Sequence, residues 1–497
     1  MRSVRCLLFS LAVPLTILSV AACKPDETET KSSSTSTGMS TAAPQAAAPA
    51  LTPPAGADIP FSVPPPQAGH VPFADFAWRS FIALNWPSQL NAGLPVRGVP
   101  DRTLSVGDAL DRPRVWETWK TDWELFGFGG PSPPTPSRWP DWSTPGIQPC
   151  PGMTLRPGTK VLTTQGSAAT KIRGLNQAFI GPLIDQNRNY ARYEIRVNEN
   201  EYETIRTRQW FIRSNIPNPV VFDSSRPGSY GAIELKAAWR ELTAGEDGSR
   251  FYNVAAWKLD PGTTACVQTR VALIGFHIAH KTAPFSEWVW STFEHVDNVP
   301  PNPPGTPQAG VRYSFNNGTI TPPTPNGFDR VPAELRAGVA LPPPADPARN
   351  PIQVTRFEPT PTEVQNANRT FRTAAPVAGT VWANYFLVNN QWPTRPGTSR
   401  PGGRYPADAG DPFPSTKVAN TTMETYFQNK LVTDSTNSCM SCHYISIRRD
   451  FSYVFLDAWA PPPPPAPAGV AAERALEREP EELRELRKAL DATRSQR

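Results

Sequence analysis

Apolar residues recur at Phe73, Ala77, Phe81 and Leu84, three or four positions apart, and Pro87 closes the run. That spacing lays one apolar stripe along a cylinder and predicts an amphipathic helix at the start of the folded part. Further along, the period changes. Tyr193, Ile195 and Val197 alternate with Glu194 and Arg196, as on a strand with two differently clothed faces. Residues 231–236, residues 251–257 and the run from Val267 to Ile278 carry aromatic and β-branched residues between Pro and Gly breaks, and most of the stretch from Trp116 to Asn298 reads as strand. The 60 prolines suit long loops better than helical bundles. The pattern predicts a β-rich α+β fold, a large antiparallel sheet body with a short helical segment near the C-terminus.

Toward the C-terminus the helical signal returns. Thr421 stands three residues before Glu424, which matches a capping box opening a short helix through about Leu431. Shortly after come Cys439-Met440-Ser441-Cys442-His443, the Cys-x-x-Cys-His run through which a c-type haem is attached. On one helical turn it sets two sulfurs beside the porphyrin vinyl groups and the imidazole under the iron. A thioredoxin-like redox pair or half of a zinc site are the alternatives, the first expecting a βαβ setting and the second another Cys or His pair. The chain has no second Cys-x-x-Cys, and the adjoining histidine favours one covalent haem c, with His443 as an axial ligand.

Such attachment takes place outside the cytoplasm, and the N-terminus reads accordingly. Arg2 and Arg5 precede an apolar stretch from Cys6 to Ala22, too short and interrupted for a good membrane span. Val20-Ala21-Ala22-Cys23 looks like a bacterial lipobox, which makes Cys23 the lipidated residue; cleavage as an ordinary secretory signal near Ala22 is the alternative. Loss of Arg2 and Arg5 lowers the formal net charge from +5 to +3. With no dense basic run in the body, nucleic acid is not implied as a partner, and the membrane is reached through the lipid anchor only. Lys24 at the position after the anchor favours the outer membrane over the inner. Cys150 and Cys266 are the two cysteines left over, and in an oxidising compartment a disulfide between them is worth about 4–5 kcal/mol in the chain-entropy model. Two free buried thiols are the other possibility.

The layout that results has a signal peptide at 1–22 and a lipid-anchored disordered tether at 23–72. A β-rich body at 73–310 continues at 311–460, with the haem-binding segment at 420–459. A Pro-rich linker and charged helix at 461–497 close the chain. The 54 residues after His443 contain neither Met nor His, so a second axial ligand has to come from upstream. Met423 is near in sequence. His277 and His280 sit on a predicted strand, where an offset of three puts them on opposite faces. Met153, His70 and His295 complete the set, and an open sixth position is equally compatible. Met440 lies between the two cysteines and cannot reach round the ring.

These features together resemble a group of large bacterial mono-haem lipoproteins of the cytochrome c family with the motif near the C-terminus. The segments carrying the likeness are Phe76 to Pro87, Gly275 to Lys281, Trp288 to Asn298, Gln391-Trp392-Pro393, and Asn420 to Tyr426 leading to the motif. The resemblance implies haem and location but no substrate. The leading expectation is a cytochrome passing electrons to a periplasmic redox partner. A haem oxygenase or peroxidase with an open distal site, and a partner- or glycan-binding lipoprotein with a structural or sensing haem, are the alternatives.

Overall fold

The computed structural model of the chain describes residues 56–127, 141–143, 150, 152–156, 158–162, 174–178, 181–260, 263–301, 307–318, 349–397, 418–428 and 438–460, with backbone alone at 412–413. The first apolar stripe forms α1 (His70–Leu84), followed by a hairpin of β1 (Ser88–Asn91) and β2 (Leu94–Pro100). Then come β3 (Lys120–Thr121), α2 (Asp122–Phe126), β4 (Val161–Leu162), β5 (Arg192–Val197) and α3 (Glu199–Thr207). The long strands β6 (Ile233–Glu241), β7 (Asn253–Lys258), β8 (Val267–Thr282) and β9 (Phe285–His295) precede α4 (Thr362–Thr373), β10 (Tyr385–Pro393), β11 (Pro412–Phe413) and α5 (Cys439–His443).

Seven strands lie in the order β11-β10-β9-β8-β6-β5-β3, and β7 joins β8 while β4 joins β7. The sheet is therefore mixed, which corrects the all-antiparallel expectation: Val161 and Leu162 of β4 run parallel to Trp257 and Lys258. No tight hairpin dictates the direction of β4, which meets β7 from a distant part of the chain. Beside this pair, Cys150 and Cys266 form a disulfide with Cα atoms 5.6 Å apart, packed with Val161 and Leu259.

Register decides what each face carries. His277 stands opposite Lys236 on β6 and Thr292 on β9, and Lys236 stands opposite Ile195 on β5. Alternation assigns their neighbours Phe276, Ala237 and Phe293 to the other face, which α1 and α4 cover. There Phe81 stacks on Phe293 with ring centroids 4.3 Å apart, and Trp78 stacks on Phe371 of α4 at 5.4 Å. The one polar atom of the Trp78 ring donates to Asn368 Oδ1 at 3.0 Å, and Asn368 in turn donates to the Leu387 carbonyl at 2.8 Å. These buried polar atoms are thus satisfied locally. Because both faces are covered, Tyr193 to Val197 is buried at nearly every position instead of alternating between core and water.

Residues 418–428 and 438–460 cover the face that bears His277. Gly275 makes this possible, since a Cβ there would lie 2.9 Å from Met423 Cε and 3.2 Å from Asn420 Oδ1. Asn420 anchors the turn by donating to Thr292 Oγ1 and the Phe293 carbonyl, both at 2.9 Å. The helix expected from the Thr421–Glu424 capping box does not form: residues 421–424 are turn, and only a three-residue 3-10 segment follows at Thr425–Phe427. Tertiary partners take both side chains instead. Thr421 Oγ1 donates to Glu294, while Glu424 accepts from the Asn420 amide at 2.9 Å and meets His277.

Order also reaches further toward the N-terminus than the 23–72 tether allows. Ala57 and Ile59 are buried, Phe61 stacks on Tyr230 at 4.3 Å, and the Pro66 carbonyl accepts from Trp392 Nε1 at 2.9 Å. Apolar positions at Ile59 and Phe61, few as they are, find partners on the body. The described residues fall in one compact unit, and none of their helices is long and apolar enough to cross a membrane. The expected signal peptide, the expected lipidation site Cys23, the Pro-rich stretch at 341–344 and the expected C-terminal charged helix lie outside the described residues.

Candidate functional site

The helical turn α5 begins at Ser438, whose Oγ accepts from the Ser441 amide at 3.3 Å. Its orientation comes from Met440. The Met440 amide donates to Gln391 Oε1 of β10 at 2.8 Å and the side chain is fully buried in the main core. With Met440 pointing into the core, Cys439, Cys442 and His443 line a cavity against the sheet. The opposite wall comes from β5, β6, β8 and β9, through Ile195, Lys236, His277 and Trp290 among others. The cavity has a volume of about 170 Å³.

His443 is held in one defined state. Its Nδ1 donates to the Phe451 carbonyl at 2.6 Å, and its ring lies 4.2 Å from Trp290 and 5.0 Å from Tyr453 between centroids. Burial lowers its pKa to about 4, against the opposing pull of the Phe451 carbonyl, so the imidazole is neutral at pH 7. A neutral ring with Nδ1 as the donor leaves Nε2 a free lone pair, the arrangement in which histidine binds a metal. The backbone is bent to make this contact: Asp450 and Phe451 both adopt left-handed φ, 56° and 66°. For a phenylalanine that conformation is costly. Asp450 is fixed by Lys281 and by the Phe222 amide at 2.6 Å, which holds the turn in place.

The sequence-predicted residues separate clearly. His277 lines the cavity, and its Nε2 meets Glu424 Oε1 at 2.8 Å. Burial works to raise the Glu424 carboxyl, but His277 and the Asn420 amide hold its pKa below the usual range. His280 lies on the opposite face, stacked on Phe76 of α1 at 5.8 Å with Nε2 on the Tyr230 carbonyl at 2.6 Å. Met423 is placed in an apolar cluster with Tyr193, Ile274 and Phe315, outside the cavity lining. His295 stacks on Phe251 at 3.7 Å, and Met153 sits near the disulfide as a bridge partner of Cys150. Of the upstream ligand candidates, the cavity brings only His277 to the same space as His443.

Several wall residues come from parts of the chain that the motif does not announce. Glu234 and Lys236 of β6, Asp122 of α2, Trp290 of β9 and Tyr453 all line the cavity. Charged residues inside strands buried on both sides, as at Glu234 and Lys236, are the signal that marks a polar pocket in a sheet. Tyr453 also ties the motif down, donating to the Cys442 carbonyl at 2.8 Å.

The two motif sulfurs are free of any disulfide. Burial raises both thiols, Cys442 to about 11 and Cys439 further. Thioredoxin-type nucleophiles need a depressed pKa, so these cysteines do not suit thiol exchange. Among the described residues no group of three or more His, Cys, Asp and Glu side chains converges to hold a metal ion, so the second half of a zinc site is not found there. What the residues do fit is a flat apolar group that two thiols can bind covalently and one imidazole can hold through a metal. Comparisons with family models, curated proteins and solved structures returned no match.

Proposed function

We propose that this protein is an exported c-type cytochrome that carries one covalent haem on Cys439 and Cys442, with His443 as axial ligand, and transfers electrons to a redox partner. The observation that carries this is the His443 Nδ1 contact with the Phe451 carbonyl, which leaves Nε2 presented on the same helical turn as two unpaired thiols. Haem bound there supplies one-electron chemistry. The chain's own contribution is to orient the imidazole, exclude water with Trp290 and Tyr453, and set the charge around the site through Lys236, Glu234 and Glu424. The Cys150–Cys266 disulfide supports passage through an oxidising compartment. Lipidation at Cys23 and residence at the outer membrane belong to the same reading.

The chain, produced with an extracytoplasmic haem-maturation system, is expected to keep haem through denaturing electrophoresis and to give a thioether-type pyridine haemochrome spectrum. Cys439→Ala with Cys442→Ala removes the covalent haem while far-UV circular dichroism stays unchanged. A wild-type chain that matures without bound haem would sink the reading.

One observation favours a second reading, a haem enzyme with an open distal position. His277 has its Nε2 engaged by Glu424, an arrangement suited to an acid–base pair facing a bound oxygen species. Immediate carbon monoxide binding by the reduced protein selects this reading, and a low-spin spectrum indifferent to carbon monoxide selects the carrier.

A further inference from the structure

Glu201 of α3 is fully buried, and its carboxyl faces that of Glu234, the β6 side chain on the cavity wall. Neither oxygen of Glu201 receives an N–H or O–H donor among the described residues. The neighbouring cation, Lys281, is taken by Asp450 and by the Ser286 carbonyl at 3.3 Å. Two ionised carboxylates cannot share such a place, because burial and mutual repulsion both oppose the charged forms. A proton between them removes the repulsion and supplies the missing donor. Burial and Glu234 accordingly hold the Glu201 carboxyl well above the usual carboxylate range.

We propose that Glu201 and Glu234 are a proton-storing pair on the cavity wall, which takes up one proton from water as one electron enters the cavity and returns it as the electron leaves. The electron comes from the redox partner, the proton from solvent, and no bond other than O–H forms or breaks. This rests on the haem reading above for the electron acceptor, but the shared proton itself does not. Added negative charge in the cavity raises the affinity of a nearby acid for its proton, and by linkage protonation raises the affinity for the electron. The charged groups around the pair are Asp450 and Lys281 at its back, and the same cavity is lined by Asp122, Glu194, Lys236, His277, Glu424 and His443. Most of them are engaged with partners of their own, which leaves the carboxyl pair as the group able to change its proton content.

The test is a potentiometric titration of the full-length haem-loaded protein with soluble mediators from about pH 5 to about pH 9, beside infrared spectra of the carboxyl region. The wild-type potential is expected to fall with pH, at up to about 59 mV per tenfold change in proton activity. Glu201→Gln and Glu234→Gln flatten that slope, Glu201→Asp keeps it over a displaced pH range, and Glu199→Gln on the exposed side of α3 leaves it intact. The carbonyl stretch of an un-ionised buried acid, present in wild type, disappears in Glu201→Gln. A pH-independent wild-type potential, a slope that survives both Gln variants, or a pair found ionised around a bound cation overturns the proposal. A chain without covalent haem overturns the haem reading and the redox coupling with it. The infrared band of the haem-free Cys439→Ala, Cys442→Ala protein then decides the shared proton separately.

Discussion

His277 and His280 stand three residues apart on β8 and belong to two different chemistries. On the helix-covered face, His280 is sealed beneath Phe76, neutral, with its Nε2 committed to a backbone carbonyl. On the other face, His277 looks into a cavity with several carboxylates, a lysine and two thiols on its walls. Both faces are covered, but His280 is buried whereas His277 keeps 21% of its side chain exposed toward the cavity. What separates them is the covering layer: α1 and α4 bring mostly aromatic rings, whereas residues 418–428 and 438–460 bring polar turns and a cysteine motif. A sheet covered on both sides can thus devote one face to stability and the other to a site.

If that division holds, the largest loss of stability comes from the helix-covered face. Phe81 is fully buried and touches Phe276, Phe293, Trp382 and Tyr385. Phe81→Ala should cost about 3–5 kcal/mol through lost contacts and the cavity left behind. Chemical denaturation measures it. Trp290→Ala on the cavity wall should cost less than Phe81→Ala and instead alter the spectrum of the proposed haem, because its ring lies against His443. Equal losses of stability, with the spectrum untouched, would erase the distinction between the faces.

The next effect is in pH, and the two faces have opposite sign. Burial lowers His280 to about 4 from 6.5. The unfolded chain takes a proton there as pH falls through 6.5, but the folded protein does not until about 4. Its contribution is therefore complete above 6.5 and lost across that window, a change of about 3 kcal/mol at full burial. Glu201 behaves the other way. Its folded pKa is raised, so its contribution is present below 4.5 and declines as pH rises through the folded value. Melting temperature followed against pH should show His280→Leu losing the acid-side slope and Glu201→Gln losing the opposing one.

A smaller effect tests how the site-bearing layer sits on the sheet. At Gly275 an added Cβ would meet Thr422, Met423 and Asn420, and the turn that carries Glu424 has to move. Gly275→Ala should cost about 1–3 kcal/mol by overpacking and loosen the His277–Glu424 contact. Denaturation reads the first and the spectrum of the proposed haem the second. A variant that is destabilised with an unchanged spectrum would mean that the turn and the cavity are independent.

How much of this was readable beforehand follows the same division. The stripe of Phe73, Ala77, Phe81 and Leu84 announced α1 because a helix face and its apolar partner repeat locally. The alternation on β8 likewise announced that His277 and His280 part company. The layer over the cavity was much less legible, because its order comes from distant partners. Thr421 and Glu424 match a capping box, yet Glu294 and His277 take their side chains. Glu201 gave no local hint of pairing with Glu234, since the two meet only where Asn198, the cap of α3, bonds to Gly231 and Ile233 at the start of β6. The motif itself was plain, but its tautomer depends on the left-handed turn at Asp450 and Phe451, which no spacing rule specifies.

The smallest effect concerns where the sealed face ends. Phe61 is still 39% exposed, stacked on the Tyr230 ring, and the Tyr230 carbonyl is the partner of His280. A half-exposed aromatic stack of this kind is worth about 0.5–1.5 kcal/mol, so Phe61→Ala should lower stability by about 1 kcal/mol. The neighbouring Asp58–Arg102 pair, exposed on both sides, should give less than about 1 kcal/mol when Asp58 becomes Asn, and less still in high salt. Hydrogen exchange at residues 56–69 supplies the second readout: in wild type these amides should be protected with the body, and Phe61→Ala should release them without affecting α5. If they exchange as freely as an unfolded chain in wild type, the tether extends to α1 and the sealed face ends at His70. If instead Phe61→Ala also frees α5, the two faces share one cooperative unit at this edge.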